Sequence, residues 1–240
     1  MAIATDMEQI VIEGILHAMS ITGKDVVDDF EEAISKSNKN GLHASVWARR
    51  SDDLEAQFSK FDEIEVFHIK RTSLWQIDPV FDRSNGVLYL LFSDINLSQV
   101  KNKYIKQGKN SHYSVSFLLK NIGLLPMEEN EQLELVPIDD ETIEELNNKR
   151  QKDIEKMIGK DATNIKKVKM VSVTYHEDEA IAALLQEYTS DFLLSSEWDI
   201  SDLLDTQYFG DNIMSDNTSD SVESTQSLVT LKDITKTIDD

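Results

Sequence analysis

Five histidines, His17, His43, His68, His112 and His176, are the side chains best suited by type to exchange protons near neutral pH. No two stand at metal-ligand spacing, and the chain has no cysteine to supply a thiolate or a disulfide. The densest ligand-type run, His176-Glu177-Asp178-Glu179, is made of sequence neighbours, which diverge around a helix start; acids there complement the helix dipole without any metal. No Gly-rich phosphate loop, Gly-x-Ser-x-Gly elbow or zinc-type spacing occurs. A metal-dependent nuclease needs carboxylates at strand ends to hold its cations, and Asp78 or Asp82 together with Asp94 offer them. Asp94-Ile95-Asn96, however, carries Asn where an acid-x-Lys pair would carry lysine, and Asp82 serves a hairpin turn equally well. No catalytic residue, metal or cofactor is therefore expected.

Binding chemistry has more to work with. Leu42–Leu125 holds 11 Lys/Arg against 9 Asp/Glu, whereas the whole chain of 240 residues carries a net charge of -21. Arg49, Arg50, Lys70, Arg71, Lys101, Lys103, Lys106 and Lys109 make a basic centre, and His112 opens a helix beside the lysines. Guanidinium groups bind phosphate or carboxylate in bidentate fashion, so Arg49–Arg50 read either as a solvated helix face or as an anion clamp. His112 reads either as part of an anion site or as part of a solvated lysine-rich loop. Asp199–Asp240 carries 10 acidic residues against two lysines. Such an acidic total disfavours broad binding to nucleic acid or anionic membrane.

A second binding candidate is Ser190–Phe209, where Phe192, Leu193, Leu194, Trp198, Leu203, Leu204, Tyr208 and Phe209 alternate with acids. This composition fits either a terminal helix folded onto its own domain or an apolar anchor for a partner's groove.

The elements that would position these residues follow from periodicity. Asp6–Met19, Asp25–Ser37, Ala44–Phe61, Leu97–Lys106, Tyr113–Ile122, Asp139–Ile158 and Asp178–Tyr188 have helical spacing of apolar residues. Trp47 leads the apolar face of the third helix, as a core anchor or as a platform for base stacking. Ile64–Arg71, Leu74–Phe81 and Lys167–Tyr175 read as strands, and Pro79 marks an edge or a bulge. Asn85-Gly86 is a hairpin turn signal, and Val87–Phe92 is apolar at every position, as a strand buried on both faces should be. The acids of Asp139–Ile158 precede its bases, which suits the dipole, and its sparse apolar positions suggest a bridging helix. Gly210–Asp240 has too few apolar groups to offset the entropy of ordering.

Arg71-x3-Trp75, Phe81-Asp82, Leu88-Tyr89-x2-Phe92 and His112-Tyr113 together resemble a domain-of-unknown-function family of low-GC Gram-positive bacteria and their phages. The resemblance covers about Leu42–Leu125. It implies a bacterial or phage cytoplasmic setting and carries no known activity or site.

The expected fold is α+β: a small antiparallel meander packed with helices, a bridging helix, a smaller α/β unit and a disordered acidic tail. The expected units are 1–126, 127–159, 160–209 and 210–240. No apolar run reaches the ~18 residues of a membrane span, and the start of the chain lacks signal-peptide character, so a cytoplasmic protein is expected. The leading expectation is a non-enzymatic protein-interaction or regulatory protein, phage- or mobile-element-borne and acting on a host protein. The alternative is a nucleic-acid-binding or nuclease domain using the basic centre, masked by the acidic end.

Overall fold

In the computed structural model, the described residues are 6–72, 75–107, 112–127 and 140–204. They fold as α+β, with a six-stranded mixed sheet ordered β1-β4-β5-β6-β7-β8 and a two-stranded extension, β2-β3. The strands are β1 (Ile64–Val66), β2 (Ile69–Lys70), β3 (Gln76–Ile77), β4 (Val80–Asp82), β5 (Val87–Ser93), β6 (Lys167–His176), β7 (Glu179–Tyr188) and β8 (Leu194–Asp199). The helices are α1 (Asp6–Ser20), α2 (Gly23–Ala33), α3 (Leu42–Phe58), α4 (Asp94–Gln107), α5 (Tyr113–Phe117) and α6 (Asp140–Ile158).

The expected meander is β1-β4-β5, paired antiparallel. Its first hairpin is long and broken once. Val66 pairs with Val80 below the break and Ile69 with Ile77 above it, in one continuous register. The break falls at Pro79, which has no N–H for the ladder; Phe67 N–H still donates to the Pro79 carbonyl at 2.9 Å. The second hairpin turns through the four residues Arg83, Ser84, Asn85 and Gly86, between paired Asp82 and Val87. Gly86 has φ +72°, and a Cβ there would lie 2.9 Å from the Asn164 carbonyl oxygen. Asp82, fully buried, holds this turn by accepting from Ser84 N–H, Ser84 Oγ and Asn85 Nδ2 at 2.6–2.9 Å.

β5 and β6 pair in parallel from Val87↔Lys167 to Ser93↔Val173. Segments that the composition assigns to units 1–126 and 160–209 therefore lie side by side in one sheet. Alternation along β5 sends Leu88, Leu90 and Phe92 to one face, where α4, α5 and α6 cover them. Tyr89 and Leu91 go to the other face, against α1 and α3. The helix with sparse apolar positions, α6, packs into the first of these cores through Ile154, Met157 and Ile158.

The helix expected over Asp178–Tyr188 is a strand. β7 pairs antiparallel with β6 on one side and β8 on the other. Ala180, Ala182, Leu184, Leu185, Gln186 and Glu187 are good helix formers, but two partner strands outweigh a preference of a few tenths of a kcal/mol per residue. Likewise 194–199 is an edge strand, not part of a terminal helix. At the open end of β6-β7 the side chain of Asn121 bridges the two strands. Its Nδ2 donates to the Val168 and Tyr188 carbonyls and its Oδ1 accepts from Val168 N–H, all within 2.9 Å.

Candidate functional site

The hairpin register places His68 opposite Asp78 across the break at Pro79. His68 Nδ1 and Asp78 Oδ1 are 2.8 Å apart, and Gln76 Nε2 donates to the same oxygen at 2.7 Å. From the other side α3 meets the ring. Its Glu55 Oε1 stands 2.6 Å from His68 Nε2, and Ser51 Oγ, one turn earlier, 3.4 Å from Nδ1. Burial pulls the His68 pKa down, but the bonds to Glu55 and Asp78 outweigh it and raise the pKa above its ordinary value. This charged pair of contacts pins the β2-β3 extension to α3.

One further turn back on α3, Trp47 meets Trp75 edge-on, with ring centroids 6.2 Å apart at 66°. Trp47 is half-buried against the α1–α3 core. Trp75 is 39% exposed. Beneath the two rings lies a cavity of about 30 Å³, room for one or two water-sized groups. Asp78, Gln76, Asn96, His112 and Tyr113 supply its polar lining, and Leu90, Leu91, Phe92 and Pro79 its apolar lining. The site thus stands where the hairpin, the end of β5, the start of α4 and the start of α5 converge.

His112 caps α5, its Nδ1 lying 2.8 Å from Ser114 Oγ. Burial, and then the charges of Arg71 and Lys103, hold His112 down at about 4, so the ring is neutral at pH 7. Tyr113 stacks on Phe92 with centroids 6.0 Å apart. Burial pushes the Tyr113 hydroxyl well above its ordinary value, so it stays an O–H.

Of the basic centre, Arg71 and Lys103 come together around His112, and Arg71 Nη1 lies 3.5 Å from Asp153 on α6. Arg49, Lys70, Lys103 and Lys106 are exposed. Lys101 is half-buried with Nζ 5.7 Å from the centroid of the Tyr188 ring. Lys109 lies outside the described residues. Arg50 leaves the candidate anion clamp, because it is buried and donates through Nε and Nη2 to the Ile21 carbonyl at 2.9 and 2.6 Å. Its guanidinium sits between the Trp47 and Tyr175 rings, 4.9 and 5.3 Å from their centroids.

Of the expected anchor residues, Phe192 is fully buried between Tyr104 and Tyr188 and belongs to the core. Leu193 is half-buried. Trp198, Leu203 and Leu204 are half-buried and pack toward the α1–α3 core, with Lys169 Nζ 5.2 Å from the Trp198 ring centroid. Tyr208 and Phe209 lie outside the described residues. Of the nuclease acids, Asp82 holds its turn and Asp94 opens α4, so only Asp78 enters the cleft. Among the described residues no three His, Asp or Glu side chains are grouped to hold a metal ion.

His68 and Asp78 are the site residues that periodicity misses as a pair. The signal for them is the hairpin register, which makes residues equidistant from the turn face each other. The family-like residues Arg71, Trp75, Phe92, His112 and Tyr113 surround this one cleft, whereas Phe81, Leu88 and Tyr89 are sheet core. No curated protein and no solved structure matches the chain. A family model does match, over residues 4–239, and the chain belongs to that family, DUF5986, a family of unknown function.

Proposed function

We propose that this chain is a non-enzymatic protein-interaction or regulatory protein that grips its partner at the Trp47–Trp75 cleft. The observation that carries the reading is Trp75, 39% exposed and held against Trp47 over a cavity with buried polar groups. Tryptophan dominates interface hot spots because it buries much apolar area with few rotors. The bacterial or phage setting implied by the sequence resemblance makes a host protein the partner class. Among the described residues no helix is long and apolar enough to cross a membrane. The test is an affinity pull-down from native host extract with the wild-type chain and with Trp75→Ala. The partner is expected to be lost from a variant whose melting temperature is unchanged; equal recovery by both would overturn the reading.

A nucleic-acid reading keeps one specific support, the convergence of Arg71 and Lys103 beside exposed Lys70 and Lys106. A salt titration of binding to a DNA or RNA duplex decides it, since phosphate contacts weaken steeply with salt.

A further inference from the structure

We infer that the partner face of the cleft continues onto a basic strip, made by the β2-β3 extension and one flank of α4, and that this strip takes an acidic segment of the partner protein with an apolar side chain seated on Trp75. The inference rests on the reading of the cleft as the partner site and names the chemistry of what docks there.

Two segments lay out the strip. Nearly one residue in five of the chain is acidic, yet residues 69–77 and 95–127 contain no acid at all. The first segment is the β2-β3 extension. Lys70 pairs with Gln76, which lines the cleft, and Arg71 N–H donates to the Trp75 carbonyl at 2.8 Å. Residues directly opposite in an antiparallel pair carry Cβ atoms about 4.5–5.5 Å apart on one face, so both bases stand beside the Trp75 end of the cleft. The second segment holds α4. Asn96, Gln99, Lys103 and Lys106 recur at the three- and four-residue spacing of one helix flank, and all four are exposed. Asn96 opens this row at the cleft, and the charge of Lys103 acts on His112, which lines it.

The acids that approach the cleft are matched within the fold. Asp78, its side chain 6% exposed, holds His68 and Gln76; Glu55 also stands against His68; Asp153 faces Arg71 and accepts from Ser116. Lys70, Lys103 and Lys106 have no ion-pair partner among the described residues. The positive field reaches the floor as well, since the charge of Arg71 acts on both His112 and Tyr113.

Length and charge then select the occupant. From Asn96 to Lys106 the row rises about 15 Å, the reach of about five residues of extended chain. A nucleic-acid duplex carries charge along its whole length and would run past the strip onto a molecule of net charge -21. A short acidic segment ends where the strip ends. Trp75, 39% exposed, gives its apolar side chain a platform, and the lysines steer its acids and fix their register.

The experiment is an NMR titration of the full chain, following the indole N–H signals of Trp47, Trp75 and Trp198. The probe is the peptide acetyl-Phe-Glu-Ser-Glu-Ser-Glu-amide. The controls are the same peptide with glutamine or lysine in place of every glutamate, and a short DNA duplex. The glutamate peptide is expected to shift the Trp75 signal with a Kd of roughly millimolar strength, and the two control peptides to bind about tenfold more weakly or worse. Lys103→Glu combined with Lys106→Glu, both at exposed positions, should weaken the glutamate peptide by about tenfold or more. An unchanged Trp198 signal reports that this variant is folded; if it is not, Lys70→Glu takes its place. An equal response to the three peptides, unaltered binding by the folded variant, no response to the glutamate peptide, or tighter binding of the duplex through the same lysines would overturn the inference. In the pull-down from host extract, a partner kept by the lysine variant but lost from Trp75→Ala overturns the acidic segment and leaves the cleft reading standing. A partner kept by Trp75→Ala overturns the cleft reading, whatever the lysines do.

Discussion

His112 shows how one side chain makes the fold sensitive to acid. Its folded pKa is about 4 against an ordinary 6.5. Below pH 6.5 the unfolded chain takes up a proton that the folded chain refuses, so stability falls as pH drops from about 6.5 toward 4 and then levels. The loss is on the order of 1–3 kcal/mol for a half-buried ring. His17, raised chiefly by its bond to Asp53, and His68, raised by Glu55 and Asp78 against burial, act in the opposite sense. Their contribution is complete below 6.5 and is lost as pH rises through their raised values. His112→Gln keeps an acceptor for the α5 cap and removes the titration. Urea midpoints at pH 7.5, 6 and 4.5 should fall less steeply for this variant than for the wild type, and parallel curves would refute the assignment. Such a role is not legible in the sequence. His112 is visible there as a helix opener beside lysines, but its neutrality comes from burial and from Arg71, a residue remote in the chain that the hairpin brings in. Arg49 and Arg50 teach the same lesson, since adjacent positions on a helix differ by about 100° and only one of them meets Ile21.

Among the elements, the legible ones are those whose local pattern and tertiary role agree. β5 is apolar at every position and is covered on both sides. The hairpin turn before it carries Asn-Gly where it should. β7 misleads because its composition favours a helix while its environment is the interior of a sheet. Its turn hides the strand as well. Glu177 and Asp178 take φ 49° and 59°, the conformation for which a tight hairpin prefers Asn followed by Gly, and a Glu-Asp pair gives no such signal. The double substitution Glu177→Asn with Asp178→Gly would relieve two strained residues. This variant should gain about 1–2 kcal/mol, seen as a higher urea midpoint at unchanged slope. A lower midpoint would mean that the acids do more in the turn than shape it.

At the scale of the molecule, a single sheet separates two cores, and both depend on the last described strand and its flanks. Phe192 fills one core, and Ile200 the other. Truncation after Thr189 would remove both, together with the partner of β7 along Leu184–Tyr188. The shortened chain should lose its cooperative thermal transition and aggregate in gel filtration. A monomer with an intact melt would show that β8 is an accessory. The sequence carries the composition of this region, bulky apolar groups among acids, but composition is the same for a strand that completes its own sheet and for an anchor held out to a partner. The parallel union of β5 with β6 is equally hidden, because pairing between distant segments leaves no periodic trace in either.

Helix α1 has a consequence for synthesis. Its inward residues Val11, Ile12, Ile15, Leu16 and Met19 are almost completely covered. Gly14 lets the Phe58 ring close on it, since a Cβ there would stand 2.6 Å from the ring, but the sheet surface it needs arrives much later. Tyr175 Oη donates to the Met19 carbonyl across 156 positions, and Lys169 pairs with Glu8 across 161. At about 5–20 residues per second, the ribosome leaves that apolar face only partly sheltered for about 8–30 s. During this interval the nascent chain is a natural client for a chaperone that recognises exposed aliphatic helices.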